Sequence, residues 1–536
     1  MTNRMLIAVI AILVVIAAIV VILAYTYLDI GLNPKGGGTL RVALQSFSAE
    51  TLDPSLDNKD GLKYHGHLYD HLAGVNPDGR LDARFGLLSG WKVNTSADSF
   101  TLTIRENARW HDGEPVSADD VRSSLEYYFR EDATCGVCGT MSEAVDIIEV
   151  VDNNNVTLHL SKPDVVFMGL LASIEGDLPL LPSHVLDNNP DMLQRNPVGS
   201  GPWRFAAISQ GASIEYESNK DYWNIERTSS FDKLSISLVP EESERIALMQ
   251  TDKIDLAPIG VASIENVKSS GLSVDGPEHV LSTTLRYFMS YDENVLTSNL
   301  EFRKALALSI DMNEIVAANF PPEAAIVATG SALFPPVSPG YLEDLPAYPY
   351  DPDEARNLLR QSGYNGDAVN LLSLVAYGMS EMPRINEMIV EDWKAVGINA
   401  QVVPTEWPAV QPRALARPQE FAEFAPVPVL HGAAPARPGG DINGVRRYLS
   451  GADGAMLTYF APNVADGMLN QLELTADDDE RAIILQALNR KTYREFWAIP
   501  ILWRHDTYAV NPTLIGWQPT NGTSSDLRFE TIRPSQ

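Results

Sequence analysis

The chain has 536 residues, 45% hydrophobic and 21% charged, the balance of a globular protein rather than a disordered one. It carries 40 Lys and Arg against 70 Asp and Glu, a formal net charge of −30, which excludes the basic footprint that nucleic acid requires. The 2 cysteines exclude a disulfide-dense scaffold and a four-cysteine zinc site, and the length corresponds to about three domains at roughly 100–200 residues each.

No residue is charged between Arg4 and Asp29, and Leu6 to Leu28 is mostly Ile, Val, Leu and Ala. At about 1.5 Å per residue such a run crosses a hydrocarbon core of about 30 Å. Residues 5–28 are therefore expected to form a transmembrane anchor, with a cleaved signal peptide as the alternative. Arg4 and the α-amino group favour an inside N-terminus. Residues 29–37, with Asn33-Pro34-Lys35-Gly36-Gly37, read as a flexible tether, and the rest of the chain is expected outside the cytoplasmic membrane.

Strand and helix signals then alternate, which predicts α/β architecture. Thr39 to Leu44 and Phe100 to Arg105 alternate polar and apolar residues, as half-buried strands do. Ser117-x-x-Asp120 is a variant capping box, opening a helix that places Val121, Leu125, Tyr128 and Phe129 on one face. Val156, Leu158 and Leu160, and then Leu234, Ile236 and Leu238, mark two further strands. Helices are expected over Phe302 to Ala317, Asp353 to Ser362, Glu387 to Val396 and Asp477 to Phe496. Strands are expected over Ile398 to Val403 and Ile499 to Trp503. The Pro- and Ala-rich stretch from Pro404 to Gly440 has no clear period.

Several blocks then stand in a recognisable order: Gly37-Gly38-Thr39-Leu40-Arg41-Val42 with Leu52-Asp53-Pro54; Leu68-Tyr69-Asp70-His71-Leu72; Ser99 to Ser124 with its Trp110-His111-Asp112-Gly113 turn; Asn196 to Trp203 around Gly199-Ser200-Gly201-Pro202; Asn219-Lys220-Asp221-Tyr222-Trp223; Phe302 to Leu306 with Ile310-Asp311; and Tyr350 to Ala355. In these the chain resembles family 5 of the extracellular solute-binding proteins, the dipeptide, oligopeptide and nickel-binding class that serves ABC importers. The resemblance covers about residues 37–510. It implies a three-domain, two-lobed periplasmic-binding-protein fold that closes over a ligand by hinge motion. Domain I would comprise 38–84, 199–283 and 511–536, with domain II (85–198) inserted and the second lobe at 284–510. It also implies a small-molecule or peptide ligand, a membrane permease with a separate ATPase as partners, no enzymatic chemistry and no cofactor.

In peptide-binding members a pocket segment carries an aromatic residue and an Asp that pairs with the peptide amine. Here the corresponding stretch is Val429 to Asp441, with His431 near the aromatic position, Arg437 beside it, and Asp441 able to serve only if the loop folds back. Trp407 resembles a pocket tryptophan of the family, and Tyr377 is a similar candidate. Arg413 and Arg417 have the chemistry to fork onto a carboxylate or phosphate. Glu175 and Asp177 fall where some members have ligand-facing residues of domain II. Tyr64 completes the candidate set. The alternative to transport is a membrane-anchored sensing receptor, or a metal or metal-chelate binder of the same fold.

Cys135 and Cys138 have the spacing of a redox dithiol; outside the cytoplasm a small structural disulfide is the plainer reading, with a redox switch, a soft-metal site or two free thiols as the others. His67 and His71 are spaced i,i+4 beside His65, as metal ligands on a helix would be. There is no G-x-x-x-x-G-K-[ST] loop, so the chain is not the ATPase itself.

Overall fold

The computed structural model describes residues 37–174, 176–287, 295–330, 333–374, 379–406, 427–435, 465–475 and 477–535. Among them no helix is long and apolar enough to cross a membrane. The expected span at 5–28 lies outside the described residues, as does the tether up to residue 36.

Three main sheets organise the chain. A seven-stranded sheet is built from β1 (Thr39–Leu44), β6 (Trp203–Ser209), β7 (Ser213–Ser218), β8 (Lys233–Leu238), β9 (Leu256–Pro258), β10 (Ser273–Asp275) and β17 (Tyr508–Val510). Its order is β10-β17-β9-β1-β8-β7-β6. Between its first and second strands is inserted a four-stranded antiparallel sheet, β2 (Leu88–Val93), β3 (Ser99–Ile104), β4 (Val145–Val150) and β5 (Asn155–Leu160), in the order β2-β3-β5-β4. A six-stranded sheet holds β11 (Leu281–Tyr287), β12 (Ala325–Val327), β13 (Val369–Leu374), β14 (Ala400–Thr405), β15 (Val427–Pro435) and β16 (Ala498–Arg504), in the order β12-β16-β11-β15-β13-β14. A short pair, β18 (Leu514–Ile515) and β19 (Arg533–Pro534), closes the chain.

The alternation read from the sequence sorts the core. Along β1, Leu40, Val42 and Leu44 join an apolar cluster with Phe100, Leu102, Val156 and Leu158 of the four-stranded sheet. Ala43, on the opposite face, joins a second cluster with Ile246, Phe302, Ile389, Trp393 and Ile499. A third cluster brings Ala97 and Val165, beside the four-stranded sheet, against Phe334, Leu430, Leu485 and Leu488. Fully burying a Leu, Val or Phe side chain stabilises by about 1.5–3 kcal/mol, so these clusters are the principal cohesion of the fold.

Local signals set most element ends. The capping box forms: Ser117 N–H donates to Asp120 Oδ2 at 2.7 Å, opening the helix Ala118–Tyr128, which buries Val121, Leu125 and Tyr128. Phe129 is its C-cap and only half-buried. The single helix expected over 302–317 is two helices, Leu300–Leu308 and Met312–Asn319. The reason is Asp311, whose Oδ1 accepts the Glu314 N–H at 2.9 Å and caps a new start. Such a cap is worth about 1 kcal/mol. The helix expected from Glu387 begins earlier, at Met382, with proline in its first turn. The strand expected over 398–403 lies at Ala400–Thr405. Gly199 and Gly201 are required by close approach: a Cβ would stand 1.9 Å from the Leu68 carbonyl oxygen and 2.7 Å from that of His67.

Among the described residues the chain passes between the seven- and six-stranded sheets twice, through 276–280 (β10 to β11) and 505–507 (β16 to β17). The two crossovers run side by side. Val280 N–H donates to Arg504 O at 2.9 Å, and Asp506 N–H to Pro277 O at 3.0 Å. The boundary expected between 283 and 284 falls inside β11.

Candidate functional site

Strand direction locates the site. β13 is parallel to both β14 and β15, so their carboxyl ends share one edge of the six-stranded sheet. The last residue of β15, Pro435, pairs with the first of β11, Leu281, at the crossover. In the seven-stranded sheet β1 is parallel to β8 and β9, and the last residue of β9, Pro258, pairs with Tyr508, where the other crossover arrives. Both crossovers thus join the carboxyl edges of the parallel strands. In open α/β sheets the crevice outside those edges is where ligands bind.

The expected pocket residues follow these edges in sequence. Tyr377 comes after β13, Trp407, Arg413 and Arg417 after β14, and Arg437 and Asp441 after β15. All six lie outside the described residues, as does Glu175. Next to these edges, one face of the sheet carries Thr284, Arg286, Leu430 and Gly432, which are cross-strand partners, with Leu430 packed in the third core cluster. A Cβ on Gly432 would stand 3.4 Å from Leu374 Cδ1 and 3.9 Å from an Arg286 guanidinium nitrogen, ordinary contact distances, so glycine is not sterically required there. Trp503 lies across from Ser282 on this face. The Thr284 hydroxyl and Trp503 Nε1 are buried, with no hydrogen-bond partner among the described residues.

His431 sits on the opposite face. It pairs with Leu285, and its Nδ1 is 2.5 Å from Asn386 Oδ1 on the helix Met382–Ala395. Asn386 in turn donates to Ser373 Oγ at 2.6 Å. Burial, with Arg286 adding, pushes the His431 imidazole down to about 3, so it is neutral and ties the sheet to that helix. Tyr64 is 1% exposed and donates to Asp57 Oδ2 at 2.5 Å; burial and this carboxylate push its phenol up. Asp177 is buried and accepts the N–H groups of Gly136 and Val137 at 2.6 and 3.3 Å. Cys135 and Cys138 form a disulfide in the same loop, so Asp177 secures its backbone.

The histidine spacing does not make a metal-binding helix. The helix spans only Leu62–His65, because the chain turns at Gly66, where a Cβ would stand 2.5 Å from Leu62 O. His67 stacks on Phe529 at 4.6 Å and its Nε2 lies 3.1 Å from Lys63 O. His65 is buried and His71 half-buried; removal from water pushes each down to about 4.

Beside them lies a cavity of about 40 Å³, lined by His67, Asp70, His71, Arg227, Asp526 and Glu530. Arg227 Nε donates to Glu530 Oε1 at 2.8 Å, and Asp526 Oδ2 accepts from Thr520 at 2.7 Å and Ser173 at 3.0 Å. Asp70 accepts from Tyr222 at 2.7 Å and Trp223 Nε1 at 2.9 Å. A space of this size suits a few waters, not a peptide.

Sequence reading missed one stretch at the carboxyl edge of β1. Ser48 and Glu50 have φ of 48° and 52°, left-handed conformations that non-glycine residues rarely adopt. Exposed Gln45 and Ser46 precede them. Nothing in the residue types announces this strain, which follows from the tertiary path: Ser48 Oγ donates to Asp57 Oδ1 at 2.6 Å, and Glu50 accepts the Gly211 N–H.

Comparison with known proteins agrees with this geometry. Heme-binding protein A of Haemophilus influenzae is 26% identical over 368 residues, 63% of this chain and 64% of that protein. The dipeptide-binding protein of Escherichia coli K12 is 25% identical over 351 residues, 60% of this chain and 63% of that protein. The chain thus matches a little under two thirds of the length of each. The structure of HbpA2 from Haemophilus parasuis superposes with a TM-score of 0.78 at 21% identity, covering 93% of this chain and 100% of that one, which establishes the two-lobed fold. The family model described as bacterial extracellular solute-binding proteins, family 5 Middle, matches residues 84–423. With well over half of its length inside that match, the chain belongs to family 5 of the bacterial extracellular solute-binding proteins.

Proposed function

We propose that this protein is the extracytoplasmic solute-binding component of an ABC importer, capturing short peptides or peptide-like small molecules between two lobes and delivering them to a membrane permease. The observation that carries this reading is the pair of crossovers joining the carboxyl edges of two separate sheets, in a chain of this family. Two connections at one end of a cleft are a hinge, and closing a hinge buries whatever lies between the edges. The work is capture and release, with no covalent step; energy comes from a separate ATPase.

In this reading domain I, expected at 38–84, 199–283 and 511–536, and the second lobe, expected at 284–510, meet instead at the crossovers 276–280 and 505–507, with 85–198 an inserted domain II. Residues 5–28 hold the protein at the outer face of the cytoplasmic membrane. Tyr377, Trp407, Arg413, Arg437 and Asp441, which follow the carboxyl ends of β13, β14 and β15 in sequence, are the residues assigned to the solute in this reading. The names of two relatives, one for heme and one for dipeptides, support a small-molecule or peptide solute without choosing between them.

Native mass spectrometry of protein purified without denaturation from rich medium tests the proposal. The expected result is a set of peptide-mass adducts lost on unfolding, with a smaller radius of gyration when the same pool is added back. A clean apo mass, with a radius unchanged by any peptide pool, would sink it.

A further inference from the structure

The two crossovers carry a second constellation. Glu278 and His279 lie on the first and His505 on the second, and one ligating atom from each lies within 4.8 Å of the others. His279 Nδ1 is 3.9 Å from Glu278 Oε2. The two imidazole rings meet edge to face, with centroids 5.0 Å apart. The His279 backbone N–H donates to His505 Nδ1 at 3.2 Å.

The backbone around the trio is fixed from several directions. Glu278 N–H donates to Asn521 Oδ1 at 2.9 Å, Gly522 N–H donates to Glu278 O at 2.8 Å, and His505 N–H donates to Ala324 O at 2.8 Å. His279 itself is held at φ 55°, a conformation a β-substituted residue keeps only when its surroundings impose it. Two imidazoles and a carboxylate are the donor set that borderline divalent cations prefer, and three protein ligands leave a fourth position for water. Tetrahedral coordination at about 2.1 Å places ligand atoms about 3.4 Å apart. The trio must therefore contract by somewhat over an ångström at most. Glu278, whose side chain is 59% exposed, is free to make most of that movement.

We propose that Glu278, His279 and His505 form a site for a divalent cation of the zinc or nickel class, which ties the two crossovers together and raises the resistance of the hinge to opening. Ligation through His505 Nδ1 exchanges the present hydrogen bond from His279 N–H for a metal bond, so the ion acts on the segments about which the lobes turn. The site lies on the connecting strands, not among the pocket residues, and it does not depend on which solute the cleft takes.

The test uses the purified full chain, stripped with chelator and titrated calorimetrically with zinc chloride alone, then with cobalt(II) as a spectroscopic probe. One equivalent is expected to bind, with a cobalt spectrum of low coordination number and a raised melting temperature. Glu278→Gln and His505→Gln should each weaken binding by about tenfold or more, as even indirect partners of metal ligands cost that much. Glu278→Gln changes an exposed carboxylate and keeps the test valid if His505→Gln misfolds. The exposed pairs His159–Glu149 and His184–Asp112 are the competing sites. The double variant His159→Gln/His184→Gln should bind zinc as the parent does. Absence of saturable binding at submillimolar zinc, unchanged binding in Glu278→Gln, or loss of binding in the double variant would each overturn the proposal.

Discussion

Two buried polar regions, one beside the seven-stranded sheet and one inside the six-stranded sheet, differ in how their groups are satisfied. In the first, Arg227 pairs with Glu530 and Arg528 with Asp526, joined by Thr520 and Ser173. In the second, the neutral groups Thr283 Oγ1, Thr284 Oγ1, Trp503 Nε1 and His431 Nε2 stand without partners among the described residues. The division follows cost. An unpaired buried charge is prohibitive, whereas a neutral donor left single costs about 1–3 kcal/mol. The paired network makes a stiff platform, and the single groups stand in the sheet whose carboxyl edge meets the proposed cleft, as Trp203 Nε1 and Ser218 Oγ do in the seven-stranded one.

The sharpest way to break this comparison is to remove one partner of a buried pair. Arg227→Met leaves Glu530, whose side chain is 1% exposed, as an uncompensated carboxylate. A loss of about 3–5 kcal/mol in urea unfolding is expected. A loss below about 1 kcal/mol would mean that the network contributes nothing distinctive.

Acid should reach the same region next. Burial holds His65, His71 and His111 down at about 4, below the ordinary value of about 6.5. The unfolded chain therefore binds more protons between those values, so stability is full above about pH 6.5 and falls as pH drops toward 4. The loss should be on the order of a few kcal/mol, read as a falling melting temperature from pH 7 to 4.5. At Asp526, burial alone would raise the carboxyl, but Arg528 and Arg227 outweigh it and hold it below the usual range. Its contribution is present above about pH 3.9 and is lost only in stronger acid. A flat profile from pH 7 to 4.5 would contradict the buried, neutral histidines.

Two smaller effects sharpen the contrast. Opening the disulfide by Cys135→Ser with Cys138→Ser should cost about 2 kcal/mol or less, because the closed loop is short. A larger loss in thermal unfolding would show that the loop held by Asp177 does more than close itself. Thr283→Val removes a buried hydroxyl that has no partner and keeps the side-chain shape. Its stability should stay within about 1 kcal/mol of the parent, on either side. A loss as large as that from Arg227→Met would erase the difference between the two sheets.

Local chemistry was readable in the sequence where it acts over a few residues. The Ser117–Asp120 capping box, the close approach at Gly199 and Gly201, and the β1 alternation all formed as their residue types require. Reading failed at two local devices that interrupt a regular period, and wherever pairing between distant segments decides. The Asp311 cap divides an otherwise periodic helix, and the i,i+4 spacing of His67 and His71 has no helix under it because the turn ends at His65. Distant pairing decides at the candidate site. That β13, β14 and β15 run parallel, with their carboxyl ends on one edge, is a property of pairing and not of any one segment. His279 and His505 are 226 positions apart and meet only because two crossovers do.

The order in which the sheets are completed has a consequence for how the chain is made. β16 lies between β12 and β11, and β17 between β10 and β9, so the last main-sheet strands to emerge fill interior places in both sheets. The six-stranded sheet cannot close until residue 504 has been synthesised, nor the seven-stranded one until residue 510, and folding waits for nearly the whole polypeptide. A premature stop ahead of Ala498 would leave unpaired edges inside both sheets at once, a nascent product prepared for aggregation rather than for half a function.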